Sequence, residues 1–246
     1  MRVGAGGATG ALGAGAITNN GALVFNRTGT LTVSAAISGT GSVEQLGSGV
    51  TALSGAVSHT GGTTVTAGTL RVGAGGTTGT LAGNVVTQGV LGFDRSDEFT
   101  FAGAISGAGG VTQTGTGNVI LTGAATFTGV TTVDAGGIIF RRDVPPTTSG
   151  FAGVGTVTIE PVTASFTSAF SPAYTYASTL TGLTLGKSGN ASAVTVNSAI
   201  SIAGPIRVFG GDVTISANVS TSGADQPIVF QAISNVLQSA SRTIQT

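Results

Sequence analysis

Apolar residues alternate with polar ones in bursts of three to six residues, as at Leu31/Val33, Leu70/Val72, Phe99/Phe101 and Ile138/Phe140. A period of two puts alternate side chains on one face of a strand. GSG, GG, AGG and TG steps separate the bursts and read as turns. No stretch keeps a helical period, and Thr and Val fill most other non-Gly positions, so the pattern predicts an all-β chain of short strands.

The bursts recur. Arg2 to Gly7 reads RVGAGG, and so does Arg71 to Gly76, an offset of 69. One residue near Asn20 has no counterpart, after which the offset is 68: Leu23, Phe25 and Arg27 align with Leu91, Phe93 and Arg95. Ile37 to Val65 aligns with Ile105 to Val133 without a gap, with 16 identities in 29 positions. Two copies of a unit of about 68 residues favour a stacked architecture over a sandwich, which calls for longer strands and no such repeat. Coils of about 20 residues at about 4.8 Å spacing predict some eleven turns and a β-solenoid about 50 Å long. Met1 aligns with Leu70 in mid-repeat and neither end reads as a cap, so the expectation is an uncapped fragment of a longer rod.

Composition sharpens this. Nine basic and nine acidic residues amount to 7% charge and no net charge, against about 25% in ordinary globular chains. The chain therefore has no electrostatic footprint for nucleic acid or an anionic membrane. The absence of Cys excludes disulfides and thiolate chemistry. The 43 Gly lack a three-residue period and Pro is scarce, which excludes collagen. No apolar run approaches the roughly 20 residues of a membrane helix, and no export signal is visible.

The stretches GSGVTALSGAVSHTGGTTVTAGTLRVG (Gly47 to Gly73) and GTGNVILTGAATFTGVTTVDAGGIIF (Gly115 to Phe140) resemble the autotransporter-associated β-strand repeat. Gly47, Gly49, Leu53, Thr60 to Thr63 and Ala67 to Leu70 carry the likeness, as do Gly115, Gly117, Leu121, Thr128 and Gly129. Val57 and Ala125 stand where that repeat usually has Asn, and His59 where it has an aromatic, which Phe127 keeps. The resemblance covers about residues 1–140. It implies a right-handed parallel β-helix in the passenger of a large exported bacterial surface protein, at the cell surface, with the outer-membrane translocator outside this chain.

Composition shifts at RRDVPP (Arg141 to Pro146), where the repeat region of residues 1–140 is expected to end. An irregular segment, 141–186, gathers Tyr174 and Tyr176 beside Phe166, Phe170 and Pro172. From 187 to 246 the apolar pairs Val194/Val196, Ile200/Ile202, Ile206/Val208 and Val213/Ile215 return. Val196 to Gly223 is similar to haemagglutinin-type repeats of large secreted adhesins, which implies further β-helix coils.

Candidate chemistry is sparse. His59, the single histidine, has no acidic or Ser partner at a recognisable spacing, and no G-x-S-x-G elbow exists. The densest charge is Asp94, Arg95, Asp97 and Glu98. Acidic clusters of this kind serve calcium or polysaccharide cleavage on β-helices, but DRSDE lacks the ligand spacing of a calcium loop. A solvated corner paired internally by Arg95 is the favoured reading, so no metal site is expected, and Asp94, Asp97 and Glu98 are kept as a candidate surface cluster. Gly186-Lys187-Ser188 lacks the upstream Gly of a P-loop.

Three functions compete: a structural and adhesive module, a polysaccharide-acting enzyme, and an ice- or surface-binding solenoid prompted by Thr63 to Thr66 and Thr131 to Val133. The sequence favours the first, with no catalytic residue and no cofactor. The expected partners are adjacent repeats of the same longer protein and a host or environmental surface, with a glycan or matrix ligand left open.

Overall fold

A computed structural model describes residues 1–171 and 173–246; Pro172, placed beside the aromatic cluster in the sequence, lies outside the described residues. The described chain is all β-strand and turn, and among the described residues the strands pair in parallel, winding a β-solenoid of about 12 turns.

The chain visits three faces in a fixed order. The first carries Ala22–Phe25, Ser42–Gln45, Thr63–Val65, Val85–Thr87, Ile105–Gly107 and Ala125–Phe127 in one ladder. The second carries Thr30–Val33, Val50–Leu53, Thr69–Val72, Val90–Phe93, Gly110–Gln113, Thr131–Val133, Gly150–Gly153 and Thr175–Tyr176. The third holds a short ladder ending at Thr80–Leu81 and a longer one running from Phe99–Phe101 to Ile228–Ala232. Alternation along each strand sends every second side chain inward. On the second face Leu31, Thr51, Leu70, Leu91, Val111, Thr131, Phe151 and Tyr176 align coil upon coil. Such columns merge into one apolar core running from Val3 to Val219.

The sequence repeat and the turn of the solenoid are incommensurate. Ten strands separate Ala22–Phe25 from Val90–Phe93, its counterpart in the second copy. Ten sides on a three-sided prism make three and one-third turns. Leu23 and Phe25 thus lie on the first face and Leu91 and Phe93 on the second, while Ile37 lies on the third and Ile105 on the first. Matching residues stand a third of a turn apart.

Corners are tied by polar side chains reaching up one coil. The Oδ1 atoms of Asn20, Asn84, Asp143, Asp212 and Asn218 accept the N–H of Thr40, Ala104, Thr163, Asn235 and Thr243 at 2.9–3.2 Å. Each satisfies a backbone donor that a turning chain leaves without a ladder partner.

The first-face ladder ends at Ala125–Phe127. Thr147 still donates its N–H to Ala125 O, but the next coil offers only an isolated bridge from Phe170 to Val194. The second and third faces continue past this point, pairing Gly150 with Thr175 and Thr156 with Gly182. The coils between residues 145 and 174 therefore stay stacked on two faces and part on one.

Candidate functional site

Two places concentrate unusual chemistry: the acidic corner at residues 94–98 and the opening at residues 145–174.

At the acidic corner every interaction is with a neighbour in the fold. Arg95 grips Asp97 through Nε at 2.9 Å and Nη2 at 2.7 Å, and its Nη1 donates to Gly79 O at 2.6 Å. The guanidinium also stacks on Phe99, 4.9 Å from the ring centre. Planar, forked donors suit this combined task better than an ammonium would. The Arg95 hydrogen bond holds the Asp97 carboxyl below its ordinary value of 3.8. Asp94 turns to Arg71 at 3.3 Å, and Glu98 is exposed. The candidate carboxylates therefore diverge, and among the described residues no three His, Cys, Asp or Glu side chains group to hold a metal.

The first copy shows what this Arg does. Arg27, the counterpart of Arg95, donates Nη1 to Gly10 O and Nη2 to Ala8 O. In both copies an Arg in the following coil hooks carbonyls of the Gly-rich loop that follows RVGAGG. The sequence offered no sign of this for Arg27, because its acceptors are main-chain carbonyls that any residue supplies.

A second pair escaped sequence reading. Gln45 is buried, with Nε2 donating to Gly47 O at 2.8 Å and Gly49 O at 3.2 Å while Oε1 accepts Thr51 Oγ1 at 2.6 Å. Gln113, 68 residues on, donates to Gly115 O at 2.8 Å and Gly117 O at 2.7 Å. Val119 stands where Thr51 stood, and Gln113 Oε1 is left without a partner among the described residues. The recurrence of Gln two and four residues before Gly in both copies was the available signal.

His59 is buried in the core. Its Nε2 lies 3.0 Å from Gly62 O and 3.1 Å from Thr63 Oγ1, and Nδ1 has no partner among the described residues. Lys187 sits at a turn and donates Nζ to Val162 O at 3.2 Å.

At the parted coils, a cleft of about 360 Å³ is lined by Pro145, Pro146, Thr147, Phe170, Ser171 and Tyr174 among others, none charged. Two of its lining residues belong to the aromatic cluster of the core: Phe170 lies 5.0 Å from Phe166, and Tyr174 meets Phe151 edge-on at 5.1 Å. Tyr174 donates its hydroxyl to Pro146 O at 2.6 Å, and burial pushes that hydroxyl well above the usual phenol range. Burial lowers the half-buried Arg142 guanidinium nearby, whose Nε and Nη1 lack partners among the described residues.

Comparison with known families separates structural repeat from site. Residues 43–72 and 111–139 each match the passenger-associated-transport-repeat. The chain carries two copies of this autotransporter passenger repeat. No curated protein and no solved structure matches the chain. The matched segments begin 68 residues apart, as the internal alignment requires, and each contains one buried Gln hook. Each passenger repeat spans five consecutive sides, the first from Ser42–Gln45 to Thr69–Val72. The acidic corner and the cleft both lie outside the matched segments. Together, the passenger repeat and the β-solenoid fold support an autotransporter passenger module.

Proposed function

We propose that this passenger module is the shaft and contact surface of an exported bacterial surface protein, a stiff rod that attaches its bearer to a host or environmental surface. Twelve coils at about 4.8 Å give a length near 58 Å. The observation that carries the reading is the unbroken parallel ladder on the second and third faces through residues 145–174, where the first face opens. It combines rigidity along the axis with one uncharged cleft at the side. Export across the outer membrane by a translocator outside this chain accords with the passenger repeat and with the absence of Cys.

The other two functions find less support. A polysaccharide-cleaving enzyme needs converging acid and base groups, whereas Asp94 and Asp97 are each committed to a different Arg. Ice binding needs Thr on every coil of a flat face. The outward column of the second face instead reads Thr32, Ala52, Arg71, Gly92, Thr112, Thr132 and Ala152.

The test is attachment. Beads coated with the purified chain are expected to adhere under flow to abiotic or cell surfaces above beads coated with a neutral globular control. Adhesion no greater than the control on every surface tried, or glycan turnover abolished by Asp94→Asn or Asp97→Asn, overturns the proposal.

A further inference from the structure

The corner at Asn19, Asn20 and Gly21 joins the third face, at Ile17–Thr18, to the first, at Ala22–Phe25. It contains the chain's only Asn-Gly step, and both residues are exposed. The second copy has Gln88-Gly89 at this place.

Three contacts make the corner chemically distinctive. Asn20 Oδ1 accepts two hydrogen bonds from the coil above, from the Thr40 N–H at 3.2 Å and the Thr40 hydroxyl at 3.4 Å. Two donors on one amide oxygen polarise its carbonyl carbon and stabilise negative charge that develops on the oxygen, as in an oxyanion hole. The Gly21 N–H points to Asn19 Oδ1 at 3.4 Å, which orients that nitrogen within the same tight turn. Gly21 has no side chain to obstruct its nitrogen, and the space where a Cβ would stand is empty.

We propose that Asn20 is a site of spontaneous covalent modification, an internal clock in the wall of the rod. The Gly21 nitrogen loses its proton to solvent base and bonds to Asn20 Cγ, passing through an oxyanion held by Thr40. The Cγ–Nδ2 bond breaks and the side-chain nitrogen leaves with a proton as ammonia, closing a succinimide ring. Water then adds to either ring carbonyl, giving Asp, or isoaspartate with one extra carbon in the main chain. No oxidant or cofactor is required.

Isoaspartate has a structural consequence at this position. Gly21 O accepts the Ser42 N–H at 2.8 Å, and the coils approach so closely that a Cβ on Gly41 would stand 1.9 Å from that oxygen. A longer main chain at residue 20 cannot keep both relations. The first coils lose their register at this corner, while Gln88-Gly89 holds the matching corner of the second copy intact.

The structure supplies its own control in Asn84, which caps Ala104 in the same manner at 2.9 Å but is followed by β-branched Val85. The folded chain is incubated at pH 8.5 and 37 °C, and tryptic peptides are followed by mass spectrometry, isoaspartyl methyltransferase labelling and isoelectric focusing. The expected result is conversion at Asn20 about tenfold or more faster than at Asn84, with one added negative charge. Gly21→Ala, which fits the empty space, is expected to fold and to slow conversion by a similar factor. Asn20 surviving as long as Asn84, or Gly21→Ala converting at the unaltered rate, overturns the proposal.

Discussion

The closeness of successive coils can be measured by adding one carbon atom. Gly117 lies in a corner where a Cβ would stand 1.9 Å from Asp97 O and 2.5 Å from Asp97 C, both main-chain atoms that a side-chain rotation cannot clear. Gly117→Ala therefore forces the corner outward by an ångström or more. That movement strains two hydrogen bonds, Gly117 N–H to Arg95 O at 3.0 Å and Gln113 Nε2 to Gly117 O at 2.7 Å. Overpacking costs about 1–3 kcal/mol. Each lost hydrogen bond adds about 1 kcal/mol, so the expected destabilisation is about 3–5 kcal/mol. Gly76→Ala is the counterpart: nothing lies within 4 Å of its Cβ position and its φ is not positive. Restricting the unfolded chain there should be neutral or stabilise by about 0.4–1 kcal/mol. Because a solenoid unfolds as coupled coils, urea titration should be paired with hydrogen exchange at residues 95–121. Equal shifts for the two variants, or a Gly117→Ala transition within error of the parent, would refute the claim that main-chain contact sets coil spacing.

Other outcomes follow from side-chain geometry. Tyr174→Phe leaves Pro146 O without its 2.6 Å donor, and a buried carbonyl so stranded costs about 1–3 kcal/mol, to be read from thermal unfolding. Arg95→Ala releases Gly79 O, Asp97 and Phe99 together, so limited proteolysis should cut within residues 73–79 where the parent resists; the same change at Arg27 should expose residues 4–10. Asp97 has a folded-state pKa below 3.8, so its stabilising contribution is complete above that value and is lost as pH falls through the lower folded value. Asp97→Asn should flatten that acid limb in an NMR-monitored titration, and an unchanged limb would exclude the Arg95 pairing.

Strand positions, the coil length near 20 residues and the two repeats were all visible in the sequence, because inward columns of Val, Ile, Leu and Phe impose a period of two and corners demand small residues. The face on which each strand lies was not visible. Nothing in Leu91 or Phe93 marks them as lying a third of a turn from Leu23 and Phe25, since all three faces bury the same kinds of side chain. The Arg27 and Gln45 hooks were hidden because they bind main-chain carbonyls. The carboxylates at residues 94–98 were visible as a cluster, but only the fold separates Asp94, drawn to Arg71, from Asp97, drawn to Arg95. The cleft arises from the absence of a ladder between Thr148 and Phe170, and the Pro pair and the Tyr residues marked the region without giving its shape.

The mismatch between ten sides and three faces bears on how such a wall can grow. Duplicating a 68-residue unit does not lay a copy above its original; it rotates everything downstream by 120° about the axis. Such an insertion folds only if any side is acceptable on any face, which requires three faces of equal width and interchangeable interiors. From Ala22–Phe25 to Gly137–Arg141 most successive strands start five to eight residues apart, which approaches that condition, and the long side between Thr69–Val72 and Thr80–Leu81 takes up its excess in the exposed Gly-rich loop. A lineage built this way gains length without redesigning its core, and it spreads each repeated surface feature around the shaft as a spiral that returns to its starting face only after ten full turns.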